Sequence, residues 1–455
     1  MKFAQISFFC LLLIISNIIA GTTGKIVGTV KDSQSGDLLV GADVVLEGSG
    51  LGSSTDADGY FSILNVPPGS YNLSVHYLGY ASVTIEKVRV FIDRTTSQNI
   101  SLTPESVKGE IVIVEADRSA IELDRTHSSS SVSSETIEAL PVTEIEEVIG
   151  LQAGVVNTGG QLHFRGGRAR EVAYIIDGVS VTNTFRENGG SIVEVDNNMI
   201  EELEVISGTF NAEYGQAQSG VVNIVTKRPA SSFRFNVKAF SGEWLSNKDG
   251  VYLGISDFDP AADRSLEWSV TGPIIPNKLG FVLTGRLRQT ESVERFERRF
   301  NTIDGWRIAA YRQWANQQSI ATGSGQGVIE IPDSLATGNR EQGPLNITDY
   351  GSLQAKLLFS LTPKINISYQ GFGSLEEIEG PFSRTVSEID QFFRYAPDDF
   401  GTTESIRHSH FLRFQHSPSS KLFYNLAASF QREDNDFFYR KDNKIALFPG
   451  DTGIQ

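Results

Sequence analysis

The feature that most constrains this chain is an alternation. From Ala230 onward, apolar residues recur at every second position. They run Phe233, Phe235, Val237, Ala239; Leu279, Phe281, Leu283; Leu353, Ala355, Leu357, Phe359, Leu361; and Leu422, Tyr424, Leu426, Ala428, Phe430. Successive side chains of a β-strand point to opposite faces, so each segment carries one apolar and one polar face. Each segment is about ten residues long, which is the length of a tilted membrane strand. The composition does not offer the repeated apolar runs of roughly 20 residues that a polytopic helical membrane protein needs. Two architectures satisfy the pattern: a barrel with one face on lipid and the other on a polar lumen, or a soluble sandwich with one wet face. A net charge of -16 over 455 residues argues against a nucleic-acid partner, because phosphate binding needs a basic surface. The single cysteine excludes an intrachain disulfide framework and a cysteine-rich zinc site.

The first 20 residues read as an export signal. Lys2 precedes an apolar run from Phe8 to Ile15, and Ala20 offers a cleavage point. The stretch Ile6–Ala20 is short for a membrane span and is interrupted by Ser7, Ser16 and Asn17. Cys10, the one cysteine, falls inside this signal.

Residues 25–103 read as a small β-sandwich. KIVGTVKD, ADVVLEG, GYFSIL, SYNLSVHYLGY and VTIEKVRVFI are β-branched and aromatic runs separated by turn signals. Asp58-Gly59 and Pro67-Pro68-Gly69 supply two of those turns. Gly48-x-Gly50-x-Gly52 lacks the spacing of a dinucleotide loop, and Asp56-x-Asp58-Gly59 lacks the distal glutamate of an EF-hand. The set Gly28-Thr-Val-x-Asp32, Gly41-Ala42-x-Val44, Thr55-Asp56-x-Asp58-Gly59-x-Phe61, Pro68-Gly69-x-Tyr71 and Gly79-Tyr80 resembles a carboxypeptidase regulatory-like domain. That resemblance describes a fold and implies no peptidase activity.

Residues 104–134 read as a connecting segment. Glu110-Ile111-Val112-Ile113-Val114-Glu115-Ala116 has four β-branched residues in succession and prefers an extended backbone. It is either one more edge strand of the sandwich or an exposed strand that pairs with another protein's sheet edge. Asp124–Ser134, with four consecutive serines, reads as a tether.

Residues 135–229 carry the most information. Thr143-x-x-Glu146 predicts a capping box, Ile145, Val148 and Ile149 one helical face, and Gly154 a helix stop. Val172–Ile176 predicts an apolar strand turning at Asp177-Gly178. The succession Leu151-Gln-Ala-Gly154-Val155, Phe164-Arg165-Gly166, Tyr174–Gly178, Glu202–Gly208, Tyr214-Gly215 and Gly220–Lys227 resembles the plug domain of TonB-dependent outer-membrane receptors. The resemblance implies that Glu110–Ala116 is a TonB box, the strand that pairs with the energy-coupling protein TonB. It implies that residues 230–455 begin a transmembrane barrel, with outer-membrane lipid on one face.

The expected fold is therefore mainly β: a sandwich, a mixed α/β plug, and part of an antiparallel barrel. Plugged transporters have 22 strands, and residues 230–455 have room for about eight to ten, so the chain is expected to be part of a longer barrel. The link Leu361–Lys364 and the link Ser417–Ser420 are expected as periplasmic turns, and Gln289–Asn346 as an extracellular loop. The implied activity is TonB-dependent uptake of a scarce nutrient: siderophore, cobalamin, oligosaccharide or peptide. Thr182, Asn183, Phe185, Arg186 and Asn188 are the expected substrate-facing plug loop. Arg165 is expected either to latch the plug to the barrel wall through carboxylates or to cap carbonyls within the plug. The acidic surplus of residues 105–230, 20 acids against 9 bases, is either a solvated face or an attraction for a cationic partner. Neither a cofactor nor a catalytic residue is expected. The six histidines form no H-E-x-x-H, and His408-Ser-His410 falls on an alternating strand. The rival functions are a surface binding or signalling receptor, a nonfunctional fragment, and a secreted accessory protein resting on the sandwich alone.

Overall fold

A computed structural model of the chain describes residues 23–104, 112–115, 129–208, 214–245, 259–299, 332–380, 401–419 and 422–439, apart from single positions within them, and scattered residues between 304 and 317. The expected export signal, residues 1–20, lies outside the described residues.

The N-terminal unit is a two-sheet sandwich. Its strands are β1 (Gly24–Asp32), β2 (Asp43–Leu46), β3 (Leu51–Ser54), β4 (Tyr60–Val66), β5 (Gly69–His76), β6 (Val83–Val90), β7 (Thr95–Ser97), β8 (Ile100–Leu102) and β9 (Val112–Glu115). One sheet runs β4-β1-β7 with β8 also on β1, and the other runs β3-β2-β5-β6-β9. Ile26, Val30, Val44, Leu46, Phe61, Leu73 and Val75 fill the space between them. Their alternation with polar neighbours is what assigns each strand its inner face. The Asp56 carboxylate accepts N–H bonds from Asp58 and Tyr60 and so closes the turn at Gly59. That backbone duty accounts for the aspartate pattern without a cation. Tyr80 donates to Asp32 at 2.7 Å and ties the two ends of the family pattern together.

The plug is a five-stranded mixed sheet, order β10-β15-β16-β13-β14, with short helices and a separate hairpin. Its elements are β10 (Ser129–Ser133), α1 (Ser134–Ala139), α2 (Ile145–Gly150), β11 (Val155–Thr158), β12 (Gln161–Phe164), β13 (Val172–Ile176), β14 (Val179–Ser180), β15 (Ile200–Ser207) and β16 (Gly220–Thr226). Strands β13 and β16 are buried along their whole length. A continuous apolar run, rather than an alternating one, is the signature of a strand covered on both faces. Gly220 is required by packing, since a Cβ there would lie 2.3 Å from the Phe164 ring. Ile145, Val148 and Ile149 are buried as predicted. The helix ends at Gly150, four residues before the predicted stop. Its N-cap is Glu144, whose side chain makes no cap bond; Thr143 lies outside the described residues.

The remaining strands are β17 (Arg234–Gly242), β18 (Asp263–Ile275), β19 (Leu279–Glu291), β20 (Arg295–Glu297), β21 (Gln342–Pro344), β22 (Ile347–Thr362), β23 (Ile365–Gly380), β24 (Gly401–Ser419) and β25 (Leu422–Tyr439). Seven of them form one antiparallel sheet in the order β17-β18-β19-β22-β23-β24-β25, curved around the plug and not closed. The expected links near 363 and 420 join β22 to β23 and β24 to β25, and β20 pairs with β21 inside the expected long loop. One face carries Phe235, Leu287, Leu353, Leu412 and Leu426, all exposed. The other faces the plug, and inward Val282, Phe372 and Phe411 join the plug core. His408 and His410 lie on the outward face, where His410 meets the Tyr369 hydroxyl at 2.8 Å.

Candidate functional site

The interface between plug and wall is built from the register of the wall strands. One inward row runs Glu267, Arg286, Ser352, Ser374, Arg407, Glu433 across β18, β19, β22, β23, β24 and β25. Two residues further along each strand lies the row with Thr284, Gln354, Phe372 and Ser409. Two further on comes the row with Val282, Lys356, Gln370 and Phe411. A period of two puts these rows on the same face, and the curvature of the sheet turns that face onto the plug.

The deepest contact is at Asp177. Residues Asp177 and Gly178, with φ of 47° and 77°, make the tight turn between β13 and β14. Aspartate tolerates the left-handed region because its short polar side chain finds local partners. Here those partners are Thr226 of the plug and the register neighbours Lys356 and Gln370 of the wall. Lys356 Nζ lies 3.0 Å from the carboxylate and also donates to the Thr226 carbonyl at 3.2 Å. All four residues are buried. Burial opposes ionisation of Asp177, but the neighbouring Lys356 and Arg413 charges and the Thr226 bonds outweigh it and hold the carboxyl down at about 2.

The first row takes three further acids of the plug. Glu144 bonds to Arg286 and Arg288. Glu194 bonds to Arg407, which also holds Glu376 at 3.0 Å and Glu433 at 3.1 Å on its own sheet. Asp196 accepts from Ser352 at 2.9 Å, and its own N–H donates to Gln354, which in turn donates to the Glu194 carbonyl. The plug thus presents carboxylates and the wall presents bases. Part of the plug's acidic surplus is spent inside the barrel rather than on a solvated face.

The expected latch residue stands elsewhere. Arg165 is exposed and occupies, with Gly166, a turn in which the Gly167 N–H donates to Phe164. Its N–H donates to the Gly154 carbonyl, and its guanidinium lies over Gly208, all within the plug. The described latch is carried by Asp177, Glu144 and Glu194 with Lys356, Arg286 and Arg407, with the signs opposite to those expected.

The expected plug loop divides into support and display. Thr182 receives the Tyr174 N–H on its hydroxyl. Asn183 is buried, and its amide donates to Glu433 of the wall at 3.2 Å. These two hold the loop in place. Phe185 is 92% exposed, its N–H held by the Asn183 side chain, and Asn188 is exposed beside it. Arg186 lies outside the described residues.

In the expected partner segment, Val112–Glu115 form β9, a parallel neighbour of β6. Glu110, Ile111 and Ala116 lie outside the described residues. The sandwich itself rests on the plug. Arg89 of β6 lies 2.9 Å from Glu135 and 3.7 Å from Glu201, and the Ile92 N–H donates to the buried Glu202 carboxylate at 3.1 Å.

Sequence reasoning missed Lys356, Arg286 and Arg407 as latch residues. A signal was available: each sits at a polar position of an alternating strand, and a base facing a closed lumen requires an acid nearby.

Comparison with known proteins agrees with the architecture. The carboxypeptidase regulatory-like domain matches residues 25–103, and the TonB-dependent receptor plug domain matches residues 122–222. The chain is 25% identical over 283 residues to the TonB-dependent transporter Oar of Myxococcus xanthus, covering 57% of this chain and 26% of Oar. It is 30% identical over 234 residues to the TonB-dependent receptor P26 of Formosa agariphila, covering 48% of this chain and 21% of P26. Among solved structures, the siderophore receptor PirA from Pseudomonas aeruginosa aligns with a TM-score of 0.44 at 19% identity, over 68% of this chain and 41% of PirA. The chain spans about a quarter of the length of the curated relatives it matches. The chain therefore carries a carboxypeptidase regulatory-like domain ahead of a TonB-dependent receptor plug domain, and its curated relatives are TonB-dependent receptors and transporters.

Proposed function

We propose that this chain is the plug-bearing part of an outer-membrane transporter that takes up a scarce nutrient with energy supplied through TonB. The observation that carries the reading is the plug–wall latch. Buried ion pairs and hydrogen bonds hold the plug in the lumen, and no path can open beside Asp177 and Lys356 while they last. A closed plug needs work done on it, and an extended segment just ahead of the plug is where a partner could pull. On this reading Glu110–Ala116 pairs with TonB by strand addition, and Phe185 and Asn188 meet the substrate from outside. The outward apolar face lies against outer-membrane lipid, after export by the N-terminal signal. Energy comes from the partner, so this chain performs no catalysis. Siderophore is one cargo class in view, since one relative, from Acinetobacter baumannii, is named a probable TonB-dependent siderophore receptor; cobalamin, oligosaccharide and peptide are the others.

Deleting residues 110–116 in the complete protein is expected to abolish energised uptake and to leave substrate binding at the cell surface intact. Uptake that persists after the deletion overturns the mechanism. Uptake absent from the undeleted protein as well, with binding retained, would instead mark a surface receptor.

A further inference from the structure

The segment read as the TonB box already has a strand partner in this structure. Val112, Ile113, Val114 and Glu115 stand in parallel register with Val83, Thr84, Ile85 and Glu86 of β6. Pro104 bridges to Tyr80, so the chain leaves the sandwich beside the start of β6. Without β9, β6 would be the bare edge of its sheet, with a row of unpaired backbone groups.

Beside the described pairing, β6 carries an irregularity. Between Ile85 and Val88 the β6 ladder carries an extra residue against β5, and Lys87 adopts a φ of 59°. A bulge of this kind breaks the ladder and twists the strand away. It falls just past the last described pair of the β6–β9 register, Glu86 with Glu115. Beyond the bulge, Arg89 on the same strand holds Glu135 and Glu201 of the plug. One half of β6 therefore receives the segment, and the other half is tied to the plug.

We propose that the β6 edge of the sandwich is a resting site for the TonB box, and that TonB binds only after the box has left it. This rests on the reading of residues 110–116 as the TonB-binding strand. β9 is the last strand of its sheet and keeps an outer edge, so the proposal requires that TonB take the backbone edge of residues 112–115 that β6 now occupies. The four described pairs supply few hydrogen bonds, and the net worth of each is comparable to the entropy of ordering the residue that makes it. The resting state is thus an equilibrium that a partner with a longer edge can displace. The sandwich then sets how much of the receptor is open to TonB.

The test is a reversible staple in the complete protein. Thr84→Cys and Ile113→Cys join register partners, and Cys10→Ser leaves them the only cysteines of this chain. Binding of the purified periplasmic domain of TonB is measured with the staple oxidised and reduced. The expected result is efficient disulfide formation, at least tenfold weaker binding when oxidised, and full recovery on reduction. In the unstapled protein, amides of residues 83–86 are expected to exchange faster once the TonB domain is bound. A staple that does not form, or an oxidised staple that leaves binding unchanged, overturns the resting site. A 110–116 deletion that still binds the TonB domain overturns the underlying assignment instead, and so the two failures are told apart.

Discussion

The plug is held on two sides, and the two interfaces are built differently. Against the wall, Asp177 and Lys356 are both buried and share Thr226 as a further partner, and Gln370 donates to Asp177 and Thr226. Against the sandwich, Arg89 meets Glu135, whose side chain is 67% exposed, and one buried carboxylate, Glu202, takes a single N–H from Ile92. The first arrangement is specific and costly to break, because a lone buried charge has no solvent to replace its partner. The second has no buried pair of opposite charges bonded to each other, only an ion pair to an exposed glutamate, a longer one to Glu201 and one N–H on a buried carboxylate. On the proposed function, a plug that stays shut until it is pulled is suited by the first, and an appendage that yields is suited by the second.

The largest expected effect comes from breaking the strong side asymmetrically. Asp177→Asn keeps the turn but strands the Lys356 charge, at a cost of about 3–5 kcal/mol. Protease protection of the plug in the assembled barrel should fall accordingly. Pairing it with Lys356→Met should restore most of the protection, because removing both charges leaves no orphan. Protection lost equally in the single and double variants would mean that the charge pair is not what holds the plug. Acid probes the same contact. With its carboxyl held near 2 against an ordinary value of 3.8, the Asp177 contribution is complete above about pH 4 and fades only as pH falls toward 2.

Glu202 should behave in the opposite sense. Burial raises its carboxyl from 4.5 to about 7, against the Ser131 and Ile92 bonds that favour the charged form. The docked state therefore takes up a proton between those values. Its stabilisation is complete below about pH 4.5 and is lost as pH rises through 7. Protection of the Ile92 amide, corrected for intrinsic exchange, should be greater at pH 5 than at pH 8, and Glu202→Gln should flatten the difference. A pH response that survives Glu202→Gln would place the sensor elsewhere.

The same contrast explains what could be read in the sequence. Strand faces were legible because the period of two is local: Phe235, Leu353 and Leu426 stand on the outward face that their alternation assigned. The Asp177-Gly178 turn was legible for the same reason. The latch was not, because Glu144 and Arg286 are 142 positions apart and Asp177 and Lys356 are 179 apart. Which base meets which acid depends on how seven strands curve around the plug. Arg165 attracted attention as a charge in a family motif, yet its place in a turn with Gly166 was written in the same tripeptide. Asn183 lies in a polar loop that reads as exposed, yet it is buried and its amide reaches Glu433, 250 positions away on the wall.

The smallest effect should come from the sandwich side. Arg89→Ala removes a bond to an exposed glutamate and a longer one to Glu201, and pairs of this kind are worth about 0–1 kcal/mol. The melting of the sandwich should hardly move, and plug protection should stay at the wild-type level. Proteolysis between sandwich and plug should quicken by a few-fold at most. A loss comparable to that of Asp177→Asn would erase the distinction between a fixed and a yielding interface. The sandwich would then have to be counted as part of the latch, moving with the plug and not apart from it.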